Sequence, residues 1–253
     1  MTFVKSNSAA ATKGSTLVLP SVSIGNVPQL AVDLLVNTLQ ATRIGIIDSP
    51  STLPVSGPSG FDHLPGQRSV PVEVYQTADG QWTIVQQRSP PLPGRHRVFA
   101  RELMDFIAQG DFAKVVLLTS SDAALRADAL IQGPQIRSLT VNWQDDELAS
   151  QLQALSLGPL DVAGETGTGP KEPLKQLHAA GAAKHLLRLC QATDIPVVAL
   201  VALVNEGDNV PDAIGLANAA NALLDIAPGA AQWRPPQSWQ WLSGPVNPPG
   251  ELY

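Results

Sequence analysis

A short apolar run that breaks at a turn and re-emerges as a proline-started helix occurs twice in this chain, and that repeat narrows the folds open to it. In residues 16–42, TLVLPSVSIGNVPQLAVDLLVNTLQAT, Leu17, Val18 and Leu19 read as a buried strand closed by Pro20. Ser23, Ile24, Gly25 and Asn26 are turn chemistry, with Gly25 free to take positive φ. Pro28 opens a helix, because its fixed φ suits the first turn and its missing N–H would be unpaired there anyway. Val27, Leu30, Ala31, Leu34, Leu35 and Leu39 then fall on one apolar stripe that needs a sheet to cover it. Near the other end, Val197 to Val204 is a continuous apolar strand, Glu206 to Asn209 a turn, and Val210-Pro211 opens a helix reaching about Asp225. Asn26-Val27-Pro28 and Asn209-Val210-Pro211 are the same tripeptide at equivalent places. The repeat predicts the halves of one α/β core.

Between them the expected elements alternate. Arg43 to Asp48 is a strand, so a β-α-β unit with a right-handed crossover opens the fold. Residues 49–69, rich in Pro and Gly, form a long irregular loop. Val70 to Tyr75 and Trp82 to Gln87 make a hairpin around Asp79-Gly80. A helix from His96 to Gln109 is stopped by Gly110 and followed by a buried strand, Ala113 to Thr119. A strand over 136–143, a helix over 145–156 and a helix from Glu172 to Ala192 complete the series. Residues 1–15 read as a loose start, 16–226 as a single α/β domain, and 227–253 as a Pro- and Trp-rich strap with a projecting tail. In that last stretch Trp233, Trp239 and Trp241 are expected to bind the strap to the globule, since exposed tryptophan clusters are unfavourable without a partner.

Composition removes several classes of function. A hydrophobic content of 44% supports a folded globule, and a net charge of −6 argues against a nucleic-acid binder, which carries a basic face. Cys190 is the only cysteine; it sits in the helical pattern HLLRLC and reads as a small buried hydrophobe. The start, MTFVKSNSAA, lacks the apolar core of a signal peptide, and no apolar stretch approaches the ~20 residues of a membrane span. A soluble protein of the cytoplasm, or of the nucleus as well, is expected.

The candidate chemistries are weak when read residue by residue. Two helix N-termini beside strand ends are able to hold an anion, but neither loop has dinucleotide-fingerprint glycines, and Glu206 and Asp208 repel phosphate in the second. Ser120, Ser121 and Asp122 follow a strand and invite a hydrolase reading, yet no Gly-x-Ser-x-Gly elbow is present and no His accompanies them in sequence. In GETGTGPKEPLKQL, Pro170 separates Gly169 from Lys171 and Glu172 replaces the hydroxyl residue, which excludes a Walker motif. His178 and His185 lie on one side of the expected helix without further ligands for a metal. No catalytic, metal or cofactor residue is assigned. The alternative is a nucleoside-phosphorylase-like or hydrolase-like enzyme working near Gly25-Asn26 and Ser120–Asp122.

The stretches SVSIGNVPQLAVDLLVNTL, RIGIID, VVLLTSS, VNEGDNVPDAIGL and PQSWQWLSG together resemble the proteasome assembly chaperone 2 family of eukaryotes, from about Thr16 to the C-terminus. The resemblance implies a three-layer α/β/α sandwich with a mostly parallel central sheet, nucleoside-phosphorylase-like but without that active site. It implies a non-enzymatic chaperone that pairs with the related assembly chaperone 1 and sits on the α-ring of the proteasome core particle. Family tails carry a hydrophobic-Tyr-any-residue motif that enters pockets between α subunits. Here Leu252 and Tyr253 would supply the hydrophobic and aromatic residues, with the departure that nothing follows Tyr253.

Overall fold

A computed structural model describes residues 2–6, 11–126, 130–143, 146–160, 173–227 and 232–241, the Trp241 side chain excepted. Its centre is an eight-stranded sheet. The strands are β1 (Thr2–Lys5), β2 (Thr16–Pro20), β3 (Thr42–Asp48), β6 (Val72–Gln76), β7 (Trp82–Gln87), β8 (Lys114–Asp122), β9 (Ile136–Val141) and β10 (Val197–Val204), while β4 (Gly57–Pro58) and β5 (Arg68–Ser69) form a separate small ladder. The order is β1-β3-β6-β7-β2-β8-β10-β9. Strands β2, β3, β7, β8 and β10 run one way and β1, β6 and β9 the other, so the mixed sheet is mostly parallel, with a purely parallel centre.

The helices are α1 (Val27–Leu39), α2 (His96–Gly110), α3 (Asp146–Ala154), α4 (Ala183–Ala192) and α5 (Val210–Leu224). Side chains alternate across each strand, so Leu17, Leu19, Val115, Leu117, Ala199 and Val201 pack under α2 and α4. Val18, Val116, Leu118, Val198 and Leu200 pack under α1, α3 and α5. This is the three-layer α/β/α sandwich that the resemblance implies. The helices from the repeated tripeptide, α1 and α5, are neighbours on one face.

Several expectations are amended. β2, α1 and β3 do form a parallel β-α-β unit, but the β6–β7 hairpin lies between its strands. The start of the chain is not wholly loose, because Thr2–Lys5 adds to the sheet edge against Gly45–Asp48. Ser120, Ser121 and Asp122 do not follow β8; they are its last residues, paired with Ala202, Leu203 and Val204. The helix expected from Glu172 to Ala192 is a short 3-10 turn at Pro173–Gln176 and then α4, separated by a bend with positive φ at Ala179 and Gly181. His178 falls in that bend, so it shares no helix face with His185. Gly110 is the last residue of α2, and Asp111 takes the left-handed position after it. Gly110 is needed for space, since a Cβ there would lie 2.1 Å from the Phe112 ring. No described helix is long and apolar enough to cross a membrane.

Candidate functional site

The strand ends are the first place to look for chemistry in an open α/β sheet. Here the repeated turns close on each other. A Cβ at Gly25, which has φ 70°, would meet the Asn209 side chain at 2.7 Å. Asn209 is itself held, donating to Asn205 O at 2.9 Å and Asp212 Oδ2 at 3.1 Å. Ser120 Oγ lies 2.6 Å from Ile24 O and 2.7 Å from Ser23 Oγ, so its single proton is engaged within the fold. Ser121 Oγ accepts from the His178 backbone N–H at 2.8 Å and faces the carbonyls of Gln176 and His178. Asp122 accepts from Ala124 N at 2.9 Å, as a cap. Each hydroxyl and carboxylate suggested by sequence satisfies backbone, and none faces an imidazole. Among the described residues no group of three or more His, Cys, Asp or Glu is arranged to hold a metal.

Cys190 is buried against Met104, with the sulfurs 3.8 Å apart, and burial pushes its thiol up to about 11 from 9.0. That shift alone lowers the thiolate fraction near neutral pH about a hundredfold. Labelling by a thiol reagent at pH 8 is therefore expected to be at least that much slower in native protein than in urea-unfolded chain. A rate matching the unfolded chain would place Cys190 at the surface.

The C-terminal strap is the most densely specified surface feature. α1 is buried beyond the stripe its periodicity predicts: Val32, Asp33, Val36 and Asn37 are covered too. The strap and the loop after β3 provide that cover. Trp233 Nε1 donates to Asn218 Oδ1 of α5 at 2.7 Å, and Trp239 Nε1 donates to Asp33 Oδ2 of α1 at 3.2 Å. Both rings pack on the core beneath α1 and α5. Between them, Arg234 N donates to Thr38 Oγ1 at 3.0 Å and Arg234 O accepts from Asn37 Nδ2 at 2.9 Å. The loop then takes over: Gln237 N donates to Asp62 Oδ1 at 2.8 Å and Ser238 Oγ to Gly60 O at 2.9 Å.

Beneath the strap lies an ionic cluster. Asp33 Oδ1 receives Arg88 Nη1 at 2.8 Å and Gln86 Nε2 at 2.7 Å. Arg88 Nε lies 3.6 Å from Glu73 Oε2, and its guanidinium stacks 4.9 Å from the centre of the Phe61 ring. Arg43 Nη1 reaches the other Glu73 oxygen at 3.1 Å. Burial pushes the Glu73 carboxyl above the usual carboxylate range, with Arg88 and Arg43 pulling it back. The cluster joins α1, the β6–β7 hairpin, the loop and the strap. Sequence reasoning missed these seats; the one local signal was an acid, Asp33, set between Val32 and Leu34 in an otherwise apolar helix.

A hollow of about 590 Å³ between β9 and α3, lined by Ser138, Trp143 and Leu152 among others, shares no residue with the strand ends or the strap seat. Leu252 and Tyr253 lie outside the described residues, as does the glycine loop 161–172.

Comparisons with known proteins point one way. The PAC2 family model matches residues 17–232. A Danio rerio protein named Proteasome assembly chaperone 2 is 31% identical over 98% of both chains. A Nematostella vectensis protein of the same name is 36% identical over 84% of this chain and 90% of its own. The fold is similar to the crystal structure of Pyrococcus furiosus PbaA, an archaeal homologue of proteasome-assembly chaperone, with TM-score 0.65, 15% identity and coverage of 87% of this chain and 85% of that one. It is also similar to Pyrococcus furiosus PbaB, an archaeal proteasome activator, with TM-score 0.63, 16% identity and 88% of each chain covered. From the first strand through Trp233's neighbour Gln232, the chain belongs to the PAC2 family.

Proposed function

We propose that this chain is a chaperone for assembly of the proteasome core particle, acting by binding alone. Its full-length likeness to proteins named Proteasome assembly chaperone 2 carries that reading. In the finer form of the proposal it works as a heterodimer with an assembly chaperone 1 homologue, seated on the α-ring, with Leu252 and Tyr253 entering a pocket between α subunits. The consumed hydroxyls and carboxylates at the strand ends support a non-catalytic role over the enzyme alternative, because Ser120 has neither a base nor a free face from which to attack.

The tail suits such docking physically. A tyrosine ring and a leucine side chain bury apolar area, and a terminal carboxylate pairs with a basic pocket residue through a charge-assisted bond. Deleting Leu252 and Tyr253 is expected to weaken capture of purified α-rings by the heterodimer on the order of 100-fold, equivalent to about 3 kcal/mol. The partner chaperone should stay bound. Unchanged α-ring affinity in the truncated heterodimer would exclude the tail as the docking element.

A further inference from the structure

We infer that the strap is a tether clamp: the two tryptophan seats on α5 and α1 set where the tail leaves the body, and so set its local concentration at a pocket on the partner surface. This rests on the reading that the tail docks.

The strap is fixed at both ends by side chains that serve little else nearby. Upstream, Ala227 is buried and its N–H donates to Asn221 Oδ1 at 2.8 Å. Downstream, Trp239 ends on Asp33, whose carboxylate is already committed to Arg88 and Gln86. Asp33 thus cannot drift, and neither can the indole it holds. Pro235 and Pro236 between the seats remove backbone freedom, and Pro236 is buried. The segment makes no ladder and belongs to neither core layer, yet its hydrogen bonds reach α1, α5 and the loop in turn. A chain end merely tidied against the surface has no need of bonds to elements so far apart in sequence.

The consequence for reach is calculable. With the clamp closed, residues 242–253 are the only free length, and they extend at most about 40 Å, with a root-mean-square span of about 20 Å. With the clamp open, the free length runs from 228 to 253 and the span rises to about 28 Å. Local concentration falls roughly as the inverse three-halves power of length, a loss of about threefold. Opening also removes the fixed direction in which the tail departs.

The test uses the full chain in complex with its partner chaperone and purified α-rings. Trp233→Ala with Trp239→Ala should speed hydrogen exchange at the Arg234 and Gln237 amides, which the clamp protects, and lower α-ring affinity about threefold. A 14-residue Gly-Ser insertion after Ser243, which leaves every strap contact intact, should lower affinity by the same factor while those amides stay protected. This second variant keeps the test decisive should the double substitution fail to fold. Unchanged affinity on insertion, or in a folded double variant with rapidly exchanging amides, overturns the clamp, provided that deletion of Leu252 and Tyr253 abolishes strong binding. If that deletion is itself without effect, the docking reading falls, and the clamp with it.

Discussion

Replacing Asp33 with alanine is expected to lower the unfolding free energy by about 3–5 kcal/mol, read from the urea midpoint at constant m-value. The size follows from what the carboxylate leaves behind. Asp33 is 4% exposed and accepts from Arg88, Gln86 and Trp239. Without it, Arg88 keeps only Glu73 at 3.6 Å and the Phe61 ring, too little to offset its own desolvation. The comparison that isolates this effect is a double-mutant cycle. Asp33→Ala with Arg88→Met should be less destabilised than the sum of the single changes by about 1–3 kcal/mol, since the stranded cation is then absent. A single-variant cost below about 1 kcal/mol would show the cluster to be a bystander.

The second large effect is expected at Gly181. Its φ is +59°, and a Cβ placed there would lie 1.9 Å from Val22 O and 3.0 Å from Ser21 Oγ. The obstacle is backbone, so no rotamer relieves it. The same bend is clasped to the end of β2: Ser21 Oγ donates to Ala180 O at 3.0 Å and accepts from Ala183 N at 3.1 Å. Gly181→Ala should therefore cost about 3 kcal/mol or more, combining left-handed strain with displaced packing. Gly66→Ala is the control, because Gly66 has φ +79° and nothing within 4 Å of its Cβ site. It should cost only about 1 kcal/mol. Equal losses for the two would mean that close approach to β2 is unimportant and backbone handedness alone is felt.

The parts of this fold that could be read from sequence are those decided locally. β2 with α1 and β10 with α5 announce themselves through apolar runs, a turn and a helix-starting proline within some thirty residues each. The hairpin announces itself through Asp79-Gly80, where Gly80 takes φ 72° and Asp79 accepts from Thr77 and Gln81. The errors arise where distant contacts override local preference. Ser120 and Ser121 look like a turn, but neighbours β2 and β10 and the carbonyls of residues 24, 176 and 178 satisfy them as strand. The Ala-rich stretch before α4 looks helical, yet the clasp on Ser21 bends it at Ala179 and Gly181. Asp33, Glu73, Arg88 and Trp239 could not be grouped in advance, because nothing in their spacing records that a strap crosses α1.

Trp239 meets Asp33 across 206 positions of chain. A ribosome adding about 5–20 residues per second needs about 10–40 s to deliver the indole after the acid has emerged. Through that interval the nascent polypeptide holds a nearly complete sandwich with its last seat vacant and apolar, a natural stopping point for holdases and a reason for premature termination before residue 232 to yield a sticky product.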